Sequence, residues 1–304
     1  MSARAWSLFA AVSIVWGIPY LLIKIAVDGG VPPVTLAWGR MLLGSAVLLS
    51  LAARRGALGP VRNYWRPLVV YAVLELAIPF PMIAVGERHI ASSLAAIVVA
   101  TVPLLVALMA LKLDRSQRVT GKRLAGLLIG LGGVALLVGV DASGSITTLL
   151  SVGAVFVGAI GYALGPLILN RHMSALDPRA SMGAALAIAA LILTPLALID
   201  WPARTPTLGA GFAWLGLALV CTALAFVLMA LLIAEIGPSR AVVITYINPI
   251  VALVLGVIFL SEKPGIGSIA GLALILAGSW FSTTRQTKPQ PFEPTEPTEP
   301  AVTA

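Results

Sequence analysis

Charge is scarce in this chain. Only 11% of its 304 residues are Asp, Glu, Lys or Arg, against about 25% in soluble domains, and no stretch of tens of residues has ordinary polar composition. A separate water-soluble domain is thereby excluded. Cysteine is scarcer still. The single Cys221 rules out an internal disulfide and a thiol cluster for metal, and its place inside an apolar segment reads as a small packing residue. The two histidines, His89 and His172, lie far apart in sequence, so no metal-ligand spacing arises. There is no Gly-Lys-Ser/Thr phosphate loop, so the chain by itself does not drive work with ATP, and there is no nucleophile elbow. The sequence calls for neither cofactor nor metal.

What it has in abundance is apolar run. Hydrophobic residues make up 59% of the chain. They fall into ten segments, roughly 6–27, 34–52, 67–86, 91–111, 123–140, 147–169, 180–199, 209–234, 240–260 and 266–283. Most have the length a helix needs to cross a hydrocarbon core about 30 Å thick. A net charge of +8 would suggest nucleic acid as a partner for a soluble protein, but its positions say otherwise. With the N-terminus in the cytoplasm, fifteen of the 20 Lys and Arg residues fall on the cytoplasmic side, as the positive-inside rule asks. Only Lys24, Arg40, Arg88, Arg204 and Lys263 do not. The basic charge sets orientation, both termini are expected in the cytoplasm, and nucleic-acid binding is not. The first apolar run is too long and lacks the small-residue site of a cleavable signal peptide. Trp6, Tyr64, Trp65 and Trp201 sit at segment ends as interfacial anchors do. Residues 286–304, polar and rich in Glu-Pro-Thr, are expected to be a disordered cytoplasmic tail.

The segments repeat. At an offset of 146 residues Trp16 falls on Tyr162, Pro32 on Pro178, Phe80 on Phe226, Ser93 on Ser239 and Pro103 on Pro249. The offset then slips to 145, placing Gly126 on Gly271 and Gly133 on Gly278. The first repeat spans 6–140 and the second 147–283. Each has five crossings, an odd number, so the second is inverted relative to the first. Such inverted repeats are a recurring architecture of secondary transporters, whose sites lie between the halves near the bilayer midplane. The expected fold is therefore an all-α polytopic membrane protein of ten transmembrane helices.

Several motifs make the chain resemble the EamA family of the drug/metabolite transporter superfamily. Val15-Trp16-Gly17 followed by Lys24 is similar to the family's first-helix signature. Pro103 and Pro249 lie mid-helix at matched positions, and Phe259-Leu260-Ser261-Glu262 followed by Gly271 and Gly278 resembles the family's ending. The first repeat departs from it, with Gln117 in the place of Glu262 within Leu113-Asp114-Arg115-Ser116-Gln117. The resemblance covers about residues 6–283. It implies two EamA repeats, transport of small metabolites or amino acids, often export, and a structural role for the second-helix Arg40.

Glu75 is the most expensive residue in the chain. It lies about 14 Å into the third segment at 1.5 Å per residue, where a carboxylate must face a polar cavity, pair, or hold a proton. Pro79 and Pro81 withhold donors from the carbonyls of Glu75 and Ala77. The repeat aligns Glu75 with Cys221, so shared architecture does not impose it. It reads as a proton-coupling or substrate-amine site, or as a structural partner of Arg40. Arg40, too deep for easy snorkelling, could hold a substrate carboxylate, balance Glu75 or cap carbonyls. Lys24 reads as a snorkelling lysine. Pro103 frees the carbonyl of Val99 and Pro249 that of Thr245; with Thr101, Thr245, Tyr246 and Asn248 around them they read as paired hinges lining a cavity. Trp16, Tyr20 and Tyr162 either stack substrate or pack the bundle. Gly126, Gly130 and Gly133, with Gly267, Gly271 and Gly278, form small-residue seams for close helix contact, the alternative being an interface in a homodimer. Glu87, Arg88 and His89 read as solvated loop charges.

The expectation is a secondary-active carrier for a small-molecule substrate in the lipid bilayer of the cell membrane, working by alternating access, with the proton as candidate coupling ion. The alternatives are an uncoupled channel or facilitator and a membrane scaffold. An intramembrane enzyme is disfavoured because Glu75 has no carboxylate mate at its depth.

Overall fold

A computed structural model describes residues 1–113, 121–141, 145–241 and 243–283. The stretch Asp114–Gln117 and the 286–304 tail lie outside the described residues. Seven helices are long and apolar enough to cross a membrane: α1 (Ala3–Asp28), α2 (Pro33–Ala53), α3 (Gly59–Gly86), α4 (Ser92–Met109), α6 (Ile146–His172), α7 (Pro178–Ile199) and α8 (Leu208–Ile236). Three shorter apolar helices complete the series, α5 (Leu124–Gly139), α9 (Ile244–Leu260) and α10 (Ile266–Ser282). The protein is an all-helical polytopic membrane protein. Leu191, Ile199, Leu208, Phe212 and Ile266 are among many large apolar side chains left exposed, which in a membrane is the lipid-facing surface.

The helices start where their sequences supply acceptors for the unpaired first-turn amides. Ser2 Oγ accepts from Ala5 N at 3.0 Å, Thr207 Oγ1 from Ala210 N at 3.2 Å, and Asp177 Oδ1 from Arg179 N at 2.8 Å. Two caps come from neighbouring helices instead. Asp200, at the end of α7, accepts from Val34 N at 3.0 Å in the first turn of α2. Glu262, just past α9, accepts from Ser92 N at 2.7 Å and Ser93 N at 3.0 Å, opening α4.

The packing carries the repeat into space. α1 packs on α8 and α9, and α6 packs on α3 and α4 in the corresponding way; α2 pairs with α7, α4 with α9 and α5 with α10. Exchanging the two halves maps each contact onto another, as a pseudo-two-fold axis requires. At the face opposite the N-terminus, Ile23, Leu36, Ile83, Leu94, Val155 and Leu217 belong to one apolar cluster uniting both halves. Toward the N-terminal face the core divides. One cluster joins α2, α3 and α7 around Met41, Leu68 and Leu186 and reaches α8 at Ala223; another joins α1, α8 and α9 around Phe9, Val12, Leu232 and Ile244.

The α5–α10 pair is made by glycine. A Cβ at Gly278 would meet backbone atoms of Gly126 and Gly130, and one at Gly133 would fall 2.8 Å from Gly271 O. Small residues in such seams let backbones approach and dispersion act over the whole contact. We expect Gly278→Val to lower stability by more than about 2 kcal/mol through overpacking. Gly132→Val, where a Cβ meets nothing within 4 Å, should leave it unchanged; thermal unfolding in detergent measures both.

Candidate functional site

Two helices leave α-geometry at corresponding places. α3 runs as a π-helix over Ala72–Ala77 and α8 over Leu219–Leu224, an offset of 147. A π-turn shifts each amide to a carbonyl five residues back, so that Ile78 N donates to Val73 O at 3.0 Å, and leaves carbonyls without their usual partner. Glu75 lies in the first of these turns, while Cys221 and Thr222 lie in the second.

Arg40 uses the second turn. Its Nε donates to Thr222 Oγ1 at 2.7 Å and its Nη2 to Cys221 O at 3.4 Å. Thr222 Oγ1 in turn donates to Leu217 O at 2.8 Å. The guanidinium lies 4.2 Å above the Phe80 ring, a cation–π geometry. Arg40 is 8% exposed and tethers α2 of one repeat to α8 of the other. The pairing with Glu75, the alternative reading of both residues, is not made; among the described residues the ion pairs are Lys24–Asp28 and Arg179–Asp177.

Glu75 faces α6 instead. A Cβ at Gly165 would fall onto Glu75 Oε2, so the glycine makes the room the carboxyl occupies. Oε2 is enclosed and has no hydrogen-bond partner, while the residue as a whole is half-buried. One turn earlier on α6, Tyr162 meets Phe80 edge-on at 6.4 Å and 77°. The other repeat makes the same contact with Trp16 and Phe226 at 5.8 Å and 77°. These are the residues the 146 offset superposes. Phe80 and Phe226 escaped attention as site residues, although that register held the signal.

The remaining candidates divide. Trp16, Tyr20, Thr245, Tyr246 and Asn248 are half-buried. Tyr246 meets Trp280 edge-on at 5.9 Å. The Asn248 amide, oriented to satisfy its neighbours, donates to Ser13 O at 3.0 Å and Ile244 O at 2.9 Å, tying α9 to α1. Thr101 is 2% exposed and donates to Val98 O at 2.7 Å, so its hydroxyl is not offered to a cavity. The prolines are not a symmetric pair of breaks. α4 stops at Val99 and restarts at Val102, putting Pro103 in a first turn, whereas Pro249 lies inside an unbroken helix from Ile244 to Leu260. The ninth segment has its turn earlier, at Val243.

The turn after α3 also departs from expectation. Arg88 and His89 are exposed, but Glu87 is fully buried. Lys24 does not simply snorkel: Nζ donates to Glu87 O at 2.7 Å and pairs with Asp28 at 3.2 Å. A cavity of about 380 Å³ lies at this end, lined by Lys24, Asp28, Arg88, His89, Leu260 and Glu262 among others. Among the described residues no group of three or more His, Cys, Asp or Glu is placed to hold a metal ion.

Two pseudo-symmetric helical repeats, with charged and aromatic residues buried between them, define a membrane transporter. The model of the EamA-like transporter family matches residues 4–139 and again 149–284, and the chain belongs to that family. It is 30% identical over 257 residues, 81% of this chain and 79% of the relative, to YedA of Escherichia coli, described as an uncharacterized inner membrane transporter. It is 24% identical to an uncharacterized transporter of Archaeoglobus fulgidus over 94% of this chain and 99% of that one. It is 26% identical to a "probable terminal-alkyne amino-acid exporter" of Streptantibioticus cattleyicolor, over 91% and 92%. A crystal structure with 20% identity superposes with a TM-score of 0.65 over 93% of this chain and 97% of that chain, the same fold. The protein is thus a multi-pass transporter of a small molecule, not an enzyme.

Thr222→Val keeps the shape of the Arg40 tether but removes its acceptor. We expect it to lower unfolding stability by about 1–3 kcal/mol, with Thr222→Ser largely restoring it, as read by thermal unfolding.

Proposed function

We propose that the protein is a secondary-active carrier exporting a small zwitterionic metabolite of the amino-acid type, by alternating access between its two repeats. One observation carries this: Glu75 and Arg40 are not spent on each other but stand to either side of the Phe80–Tyr162 pair. The guanidinium lies over Phe80, and the carboxyl sits one helical turn from Tyr162 against Gly165. Arg40 Nε and Nη2 are engaged by α8, which leaves the Nη1 edge for a substrate carboxylate; fork geometry suits that group. Glu75, whose Oε2 is enclosed and unpartnered, is stable when it carries a proton or when an ammonium lies against it. Exchange of the one for the other couples substrate to proton. The rings between supply apolar walls for the rest of the molecule.

The divided core supports an inward-open state. Charge bias puts the N-terminal face and the C-terminus in the cytoplasm, and the core toward that face is split into two clusters joined through α8, whereas a single cluster unites both repeats at the opposite face. A site reached from the cytoplasm loads for export, and the amino-acid exporter among the relatives is in keeping with it.

Purified protein in liposomes with an imposed proton gradient tests this with radiolabelled amino acids. Glu75→Gln should abolish gradient-driven accumulation while the protein inserts and folds normally. Arg40→Lys should weaken substrate binding about tenfold or more, the scale of one lost charge-assisted contact of ~1.5–3 kcal/mol. Because no ion pair joins them, the double variant Glu75→Gln with Arg40→Gln should not recover transport. Recovery, or flux that ignores the proton gradient in the unmodified protein, overturns the coupled-carrier reading.

A further inference from the structure

The proposed mechanism uses one carboxyl, Glu75. A second lies at the other end of α3 and is used by nothing described so far. Glu87 follows directly on the helix, its amide donating to Ile83 O at 3.0 Å. Its side chain is 0% exposed, and neither Oε1 nor Oε2 has a hydrogen-bond partner. This is unusual for a residue in a turn whose next two members, Arg88 and His89, are exposed. The carboxyl is sealed beneath the charged cavity at the face opposite the N-terminus.

The groups around it explain why no counter-charge reaches it. On α1, Lys24 spends its ammonium on the main-chain oxygen of Glu87 and on Asp28; Asp28 and Tyr20 are the other titratable groups there that sense Glu87. From the turn after α9 comes Glu262, a like charge, which also takes the Ser92 and Ser93 amides of α4. On α6, a Cβ at the neighbouring Gly86 would meet Val155 and the carbonyl of Ser151, neither of them charged. Ser92 Oγ, likewise buried, has no partner of its own. An ionised carboxylate without donors in such a place is strongly disfavoured, whereas the neutral acid is tolerated.

We propose that Glu87 is a second proton-binding site, facing the medium opposite the N-terminus, whose protonation holds that face of the carrier shut. The inference rests on the alternating-access reading above. Opening this face brings water to the carboxyl, which ionises and releases its proton to that side; closing takes one back. Burial first, then Glu262 and Asp28, push Glu87 well above the usual carboxylate range, with Lys24 opposing. The sign follows from linkage. Below the ordinary carboxyl pKa of about 4.3 both states hold the proton and the balance does not respond to pH. Above it only the closed state holds the proton, so closure weakens by up to tenfold per pH unit until the raised value is passed.

The test places spin labels at His89 and Arg204, both exposed, in a Cys221→Ala background of the full chain in lipid nanodiscs. Replacing His89 also removes the nearest imidazole from the response. Pulsed electron paramagnetic resonance then reads the distance across this face from about pH 5 to 9, spanning the range above the ordinary carboxyl value. The parent should shift from a short to a long distance as pH rises. Glu87→Gln, an isosteric stand-in for the protonated acid, should stay short throughout. Glu262→Gln, which weakens the cap on α4, should favour the long distance but keep the pH slope. An unchanged slope in Glu87→Gln overturns the proposal, as does a slope lost only with Glu262→Gln, which would make Glu262 the site. Two distances in pH-independent proportion overturn the proton site and leave alternating access standing. One distance at every pH in every variant overturns both.

Discussion

Hydrocarbon offers no hydrogen bonds, and this constraint orders the rest of the structure. A helix in lipid is secure only while each amide finds a carbonyl of its own segment. Every departure must therefore be met by another part of the protein. The π-turn of α8 is met by Arg40, which takes the Cys221 carbonyl and the Thr222 hydroxyl. The open first turns of α2 and α4 are met by Asp200 and Glu262 from the ends of α7 and α9. The irregular places thus become the places where helices are tied to one another.

The same constraint explains why the repeats have kept a shape but not a chemistry. Both carry a π-turn at corresponding depth, and both set an aromatic of α1 or α6 edge-on to a phenylalanine just beyond it. Within that common frame one repeat has Glu75 where the other has Cys221. The symmetric scaffold supplies two equivalent recesses, and single asymmetric substitutions make one acidic and let the other receive a guanidinium. The glycines take part as well: Gly165 gives space to the Glu75 carboxyl and Gly256 to that of Glu262. Without a Cβ, a helix can accept a polar group against its own backbone.

The two faces differ in what holds them. One apolar cluster joins both repeats at the far end, reinforced by Glu262 on α4 and by Lys24 on the α3 turn. Toward the N-terminal end the core is made of two clusters that meet on α8, Ala223 belonging to one and Leu232 to the other. Apolar packing in lipid has no hydrophobic drive of its own, so a few polar ties and close backbone contacts can decide which face is closed. In the proposed carrier this would let single protons and single ligands tip the balance between two states.

The all-helical membrane fold, its repeat and its lipid-facing character follow from run length and the 146 offset, because each depends on composition along the chain alone. Glu75 could be singled out for the same reason: a lone carboxyl in an apolar run is anomalous whatever surrounds it. Which group faces which could not be read this way. Arg40 was open to pairing with Glu75, and the fold sends it to Thr222 and Cys221. The segments around Pro103 and Pro249 occupied matched places in the repeat, but Thr101 is sealed in a turn and Pro249 continues its helix. Glu87 resembled its exposed neighbours Arg88 and His89, and only the convergence of α1, α4, α6 and the α9 end buries it. Partners in a helical bundle are set by the rotation and approach of separate helices. The sequence encodes those only through the many contacts they make together.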